Sequence, residues 1–354
     1  MLTALRQVHA WSGVALCLVL AVLGLSGALL VFKQDYVRLV VPEARTTHDA
    51  SAIAMGRALE AIEARYGAEG LRYVTLAQEG LAVHQVGFAD GGGAYVDQAG
   101  GEIARWPRNG RAEEWLFDLH HHLLGGDTGE IIAGLAGLFA ALMVVSGLII
   151  WAPAARSFAW RVWPSSAARR DLLGHHRDLG VLLALPIIGV SLTGAAMVFP
   201  DQGRWLMNVL TVSRPAPPPA PVAQAGDVDW VAAVQGAASA FPGAAPRMAV
   251  WPNGPDKPAA LRLRRPTEWH PNGRTSVSIN PATGAVIGAV DAELLTPGER
   301  AFNAVYPLHA AKVGGRVWDV MAALTGIGLA VLSVVGAFAF LRRPRRRRRV
   351  GAAV

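Results

Sequence analysis

VHAWSGVALCLVLAVLGLSGALLVF, residues 8–32, runs for 25 residues without one Asp, Glu, Lys or Arg. At a helical rise of about 1.5 Å per residue, that length crosses a hydrocarbon layer of roughly 30 Å. Three more uncharged runs, 131–151, 179–199 and 320–341, read the same way. Pro186 lies inside the third, where membrane helices tolerate proline better than soluble ones. Arg6 lends the first run the look of a signal peptide. The run outlasts an h-region, however, and Val31, Phe32, Lys33 and Gln34 follow where small cleavage-site residues belong, so it is expected to be retained.

Composition supports a membrane protein. Of 354 residues, 52% are hydrophobic and only 17% charged, with a mean hydropathy of +0.32, too apolar for an ordinary soluble domain. Cys17 is the single cysteine. Intrachain disulfides, multi-cysteine zinc sites and iron–sulfur clusters are therefore excluded. A redox metal would have to use His, Met, carboxylate or a cofactor.

Basic residues gather in three places: Arg6, the set Arg156, Arg161, Arg169, Arg170 and Arg177, and a tail with Arg342, Arg343 and five more arginines at 345–349. Asp171 and Asp178 are the only acids there, and the remainder of the chain is net acidic. The bias predicts both termini and the 152–175 loop in the cytoplasm, with the long intervening segments outside. The tail reads as an anchor on anionic lipid, and no nucleic-acid partner is expected.

The chain repeats itself. An offset of 167 carries His9-Ala10-Trp11-Ser12-Gly13 onto His176-Arg177-Asp178-Leu179-Gly180, and Leu25-Ser26-Gly27 onto Leu192-Thr193-Gly194. An offset of 189 carries Leu119-His120 onto Leu308-His309, Gly125-Gly126 onto Gly314-Gly315, Gly137 onto Gly326 and Gly147 onto Gly336. Several small residues and a histidine in one register mark a duplication, and both copies run in the same direction. Each outer segment begins with a helical pattern, 49–66 or 228–240, the second preceded by the proline-rich linker 215–221. Alternating strand patterns follow: LRYVTLA, LAVHQVGF and AYVDQAGGEIARW, then RMAVW, ALRLRR and TSVSINPATGAVIGAV. Asp97-Gln98-Ala99-Gly100-Gly101 and Asn280-Pro281-Ala282-Thr283-Gly284 are corresponding hairpin turns.

The expected fold is thus a mainly α membrane protein: four transmembrane helices as a parallel internal duplication, with two outer α+β modules. Its divisions are 1–32 (first span), 33–118 (first module), 119–151 (histidine segment and second span) and 152–175 (cytoplasmic loop). The second copy follows as 176–199 (third span), 200–307 (second module), 308–341 (histidine segment and fourth span) and 342–354 (basic tail).

The repeat sorts the ten histidines. His9 and His176 fall at the cytoplasmic ends of spans one and three, and His120 and His309 fall on the outer side before spans two and four. Under a pseudo-twofold, each pair faces across the axis. Two facing imidazoles can hold iron from both axial positions, and a haem between them needs apolar walls and small residues. Two such sites, one near each face, would let electrons cross the membrane. Each histidine also has a plainer reading as an interfacial or loop side chain. In DLHHHLLGGD (118–127), only His120 keeps register with His309. His121 and His122 point about 100° and 200° away on a helix and are auxiliary candidates for contacting a substrate or a propionate. A metal shared by the three would need a loop that folds back. A straight helix would also lift His120 roughly 16 Å above the apolar boundary. His175 competes with His176, which the register prefers. Arg111, Arg204 and Arg316, with Lys312, could pair with propionates or an anionic substrate, or form ordinary ion pairs. His48, His84 and His270 have no repeat partner and read as surface residues. Trp106, Trp115, Trp151, Trp160, Trp163, Trp205 and Trp318 read as an interfacial belt.

The HxWxG opening at His9, the LH…GG approach to span two, the HRxxG start of span three and the DxxxG and NPxTG turns together resemble the PepSY-associated transmembrane family. Within it, the architecture is similar to inner-membrane reductases of Gram-negative cells that release iron from siderophores. The resemblance implies periplasmic PepSY-like modules and haem b, two per chain, with His9, His176, His120 and His309 as axial ligands. It also implies electron delivery to a periplasmic ferric siderophore, because reduction to Fe(II) weakens hard oxygen ligation. No GxGxxG or flavin module is visible, so electrons would come from a cytoplasmic reductant or membrane quinol. The competing readings are a membrane-anchored PepSY-type regulator or binding protein without redox activity, and a metal transporter, which would need a polar path at midmembrane.

Overall fold

The computed structural model describes residues 1–343 apart from 48, 50, 215–222, 224–225 and 255. His48, the proline-rich linker and the arginines at 345–349 lie outside the described residues. In chain order the helices are α1 (Leu2–Leu30), α2 (Lys33–Val40), α3 (Ala52–Tyr66), α4 (Ala112–His122), α5 (Gly126–Trp151) and α6 (Arg169–Leu182). They continue with α7 (Ala184–Val198), α8 (Pro200–Leu210), α9 (Trp230–Ala240), α10 (Pro297–Asn303), α11 (Val305–His309) and α12 (Gly315–Leu341). Strands β1 (Leu71–Thr75), β2 (His84–Phe88), β3 (Gly93–Val96) and β4 (Glu102–Trp106) follow α3. Strands β5 (Ala245–Val250), β6 (Ala259–Arg264), β7 (Thr275–Ile279) and β8 (Val286–Val290) follow α9.

These elements form two compact units. The membrane unit comprises Met1–Leu29, His120–Val198 and the chain from Val320 on. Three of its helices are long and apolar enough to cross a bilayer by themselves, and α6 with α7 makes a fourth candidate bent by 68°. The run at 179–199 is therefore not one straight helix. The break falls at Leu183, and its cause is Pro186 in the next turn: the ring has no N–H to offer the Leu182 carbonyl and crowds it. Leu18, Leu29, Leu142, Leu185 and Val334 leave more than half of their surface outside the unit, the pattern of side chains that face lipid.

Small residues set the helix contacts. A Cβ on Gly326 of α12 would overlap the Gly24 carbonyl of α1, and one on Gly24 would overlap the Gly326 carbonyl. Likewise, a Cβ on Gly137 of α5 would stand 3.0 Å from the Ser191 carbonyl of α7. Residues 24 and 191 differ by 167, and residues 137 and 326 by 189, so the two crossings obey the offsets read from the sequence. Close backbone approach is what holds helices together where lipid removes the hydrophobic drive.

The sheet unit comprises Leu30–Leu119 and Phe199–Asp319. Its eight strands form one antiparallel sheet in the order β4-β3-β2-β1-β5-β6-β7-β8. The segments drawn as two modules are two halves of this sheet, joined where β1 pairs with β5 in the register Tyr73↔Val250, Val74↔Ala249 and Thr75↔Met248. The physical reason is the edge problem: apart, each four-stranded half would leave a row of backbone donors and acceptors open. The core is shared too. Leu59 and Ile62 of α3 and Val234 and Ala237 of α9 bury against Val74, Val86, Leu261, Leu263, Val277 and Ile279. Glu63 of α3 accepts indole N–H bonds from Trp230 at 2.6 Å and Trp251 at 2.9 Å, tying the halves together.

Candidate functional site

The histidine environments in the membrane unit follow one plan. His9, in the second turn of α1, has its ring against α5: its Nδ1 is 2.8 Å from Ser146 Oγ, and a Cβ on Gly147 would stand 3.3 Å from its Cε1. His176, in α6, has its ring against α12: Nδ1 donates to the Leu332 carbonyl at 3.0 Å, and a Cβ on Gly336 would stand 3.0 Å from its Cε1. Offsets of 167 and 189 carry His9 and Gly147 onto His176 and Gly336. The structure brings the two imidazoles together, with centroids 6.4 Å apart and planes at 81°.

Ring tautomers follow from their partners. Ser146 Oγ donates to the Met143 carbonyl at 2.9 Å, so its lone pair receives the Nδ1 proton of His9. His176 reaches a carbonyl, which can only accept. Both rings therefore carry hydrogen on Nδ1 and keep the Nε2 lone pair, the state in which imidazole binds a metal. With metal–nitrogen bonds of about 2.0 Å, two imidazoles on opposite sides of one ion have ring centroids roughly 6.3 Å apart. The observed centroid spacing of 6.4 Å is of that length.

His120 repeats the plan at the other end of α1. Ser26 Oγ donates to the Val22 carbonyl at 2.7 Å and receives Nδ1 of His120 at 2.9 Å, while a Cβ on Gly27 would stand 2.9 Å from its Cε1. The level of His120 is thereby settled: α4 ends at His122, the chain turns, and the ring reaches α1 within the uncharged run. Seventeen residues of α1 separate His9 from Ser26, an axial distance of roughly 25 Å. His309 closes α11 in the sheet unit.

The remaining candidates divide. His175 is fully buried, donates Nδ1 to the Arg161 carbonyl at 3.0 Å and leaves Nε2 without a hydrogen-bond partner, away from the His9 partnership. Arg111 is ion-paired with Glu113 and lies over the Tyr95 and Trp106 rings. Arg316 donates to Asp35 through its two terminal guanidinium nitrogens, Nη1 and Nη2, at 2.5 and 2.7 Å. Arg204 makes a long 3.5 Å contact with Asp201 and stacks on Phe302. His121 and His122 share their neighbourhood with Glu130 of α5, because the fold-back that the HHH run would need does occur.

One sequence expectation is corrected. His84 and His270 are buried, at 2% and 7% exposure, because each Nδ1 accepts a backbone N–H, from Ala77 and Asn272 respectively. Trp106, read as an interfacial side chain, packs on Tyr95 in the sheet, with ring centroids 4.7 Å apart. The sequence reading also missed Ser26 and Ser146, although both precede a glycine inside an apolar run, and that repeated Ser-Gly pair was the available signal. It missed the partly buried Arg262, Arg264 and Arg274 around His270, of which the alternation ALRLRR foreshadows the first two.

Fold and site together define a multi-helix membrane protein that carries an antiparallel sheet domain and one pair of neighbouring imidazoles, His9 and His176, between its helices. The chain belongs to the family described as the PepSY-associated TM region, whose pattern it matches over residues 6–343. Comparison with curated proteins gives no match.

Proposed function

We propose that this protein is a haem-b electron carrier of the Gram-negative inner membrane that reduces a periplasmic ferric siderophore and releases Fe(II). The observation that carries the reading is the His9–His176 pair, whose 6.4 Å spacing and Nδ1 partners suit two axial ligands of one iron. His120, held by Ser26 in the same way, is the second ligand candidate at the other end of α1, and the 189 offset nominates His309 as its counterpart in the sequence. Bound haem would supply a one-electron iron couple at each histidine pair.

The chain's own residues hold the imidazole protons on Nδ1, and Gly147, Gly336 and Gly27 give the rings of His9, His176 and His120 room against the neighbouring helices. Each turnover would move one electron from a cytoplasmic reductant or membrane quinol to ferric iron, whose oxygen ligands grip the resulting Fe(II) less firmly. The bent α6–α7 pair serves as the fourth crossing, the basic loop and both termini lie in the cytoplasm, and the sheet unit faces the periplasm. The repeated glycine crossings and histidine–glycine contacts support an internal duplication.

The test is pigment and stoichiometry. Purified protein is expected to be red, with a reducible bis-imidazole spectrum and two haems per chain. His9→Ala with His176→Ala should remove one equivalent, and His120→Ala with His309→Ala the other. A folded but colourless preparation, made with ample haem, overturns the reading and favours a regulator without redox activity. Turnover on a panel of ferric chelates, read with a ferrous-specific dye, then ranks substrates.

A further inference from the structure

After His122 the chain reverses through Leu123 and Leu124, both with left-handed φ, 48° and 58°, and through Gly126 at 56°. Left-handed backbone is unfavourable for a residue with a side chain, and two in a row persist only where the surroundings impose them. Here they are imposed by a backbone contact. A Cβ on Gly129 would overlap the His122 carbonyl, so glycine alone lets α5 return against the last turn of α4.

The return sets Glu130 beside the two outer histidines of the run. One ligand atom from each of His121, His122 and Glu130 lies within 4.8 Å of the other two, and the two imidazole centroids are 5.7 Å apart. His120 is engaged with Ser26 instead. The three adjacent histidines thus serve two neighbourhoods.

We propose that His121, His122 and Glu130 form a binding site for a divalent first-row metal ion, with ferrous iron as its occupant. Two imidazole nitrogens and one carboxylate oxygen suit Fe(II), Mn(II) or Zn(II), and three protein ligands leave coordination positions open for water and for exchange. With metal–ligand bonds of about 2.0–2.2 Å, bound donors stand roughly 3–4 Å apart. The present spacing, within 4.8 Å, exceeds that value by about an ångström. Naming iron rests on the reductase reading: the ion released there is Fe(II), which imidazole nitrogen holds better than the hard oxygen donors it has left. The site would receive the product of reduction at the place where the helix pair turns.

The experiment uses the full-length, haem-loaded protein in detergent, stripped of loose metal with a chelator and titrated anaerobically with Fe(II), and in parallel with Mn(II) followed by electron paramagnetic resonance. Wild type is expected to retain one non-haem ion per chain. Glu130→Gln should weaken retention at least tenfold, and His121→Ala with His122→Ala should abolish it, with haem absorbance unchanged in both. Equal binding of Fe(II) and Mn(II) by wild type and Glu130→Gln would overturn the site, whether or not the double variant folds. Colourless protein that still binds one ion would end the redox reading and keep this site, whereas red protein that binds none would do the reverse.

Discussion

Nδ1 of His120 lies 2.9 Å from Ser26 Oγ, ninety-four residues away in the chain, and that hydroxyl has already given its proton to the Val22 carbonyl. The serine therefore acts as a fixed acceptor that holds one tautomer of the ring.

Ser26→Ala removes that acceptor without adding bulk. Outer partners of metal-binding histidines are typically worth about 10–100-fold in affinity, so under the proposed haem function the variant should lose haem from His120 on dilution and shift its midpoint potential. Ser26→Thr, the residue that the 167 offset places at position 193, should keep both. Identical retention and potential in Ser26→Ala and wild type would refute the tautomer argument. Ser146→Ala is the matching change for His9.

Acid should weaken the sheet unit through His270. Burial, and then Arg274, Arg262 and Arg264, push its pKa down to about 3, and its ring packs against Tyr306 at 4.9 Å. Nδ1 accepts the Asn272 N–H, which also requires a neutral ring. An unfolded histidine titrates near 6.5. Between those values the unfolded chain binds one more proton than the folded chain, so stability falls as pH drops, by about 1.4 kcal/mol per unit for that proton. Denaturation followed from pH 7 to pH 4 should show this slope, and His270→Gln should flatten it. A variant as acid-sensitive as wild type would exclude His270 as the cause.

Glu63 is the acceptor for two buried donors, the indole nitrogens of Trp230 and Trp251. A buried donor left unpaired costs about 1–3 kcal/mol, and in a unit of this size each kcal/mol moves Tm by about 2–4 °C. Glu63→Ala should therefore lower the melting temperature by at least about 4 °C, and Glu63→Gln, which keeps an acceptor oxygen, by less. Equal melting of the two variants would show that the indole bonds contribute nothing.

The apolar runs, the strand alternation and the repeat register could all be read from residue order, because each rests on local periodicity or self-similarity. The helices at 52–66 and 230–240 and all eight strands fall where those patterns lie. Other features were not legible. Pro186 was visible, but proline inside a membrane run does not announce a 68° bend. Nothing in Leu123-Leu124 suggests left-handed backbone, so the return of Glu130 to the histidines was hidden. The Leu332 carbonyl that orients His176 is a main-chain atom and leaves no mark on sequence at all. His84 and His270 looked exposed because a buried histidine is betrayed only by its partners, and both partners are backbone amides.

The β1–β5 seam has a consequence for any attempt to cut this protein in two. A half-length polypeptide would carry a naked strand whose best-matched mate is the corresponding strand of its sibling, so isolated halves should zip into pairs rather than stay single. Fusion of two such halves into one polypeptide makes that partnership permanent, independent of concentration and free to diverge on either side of the join.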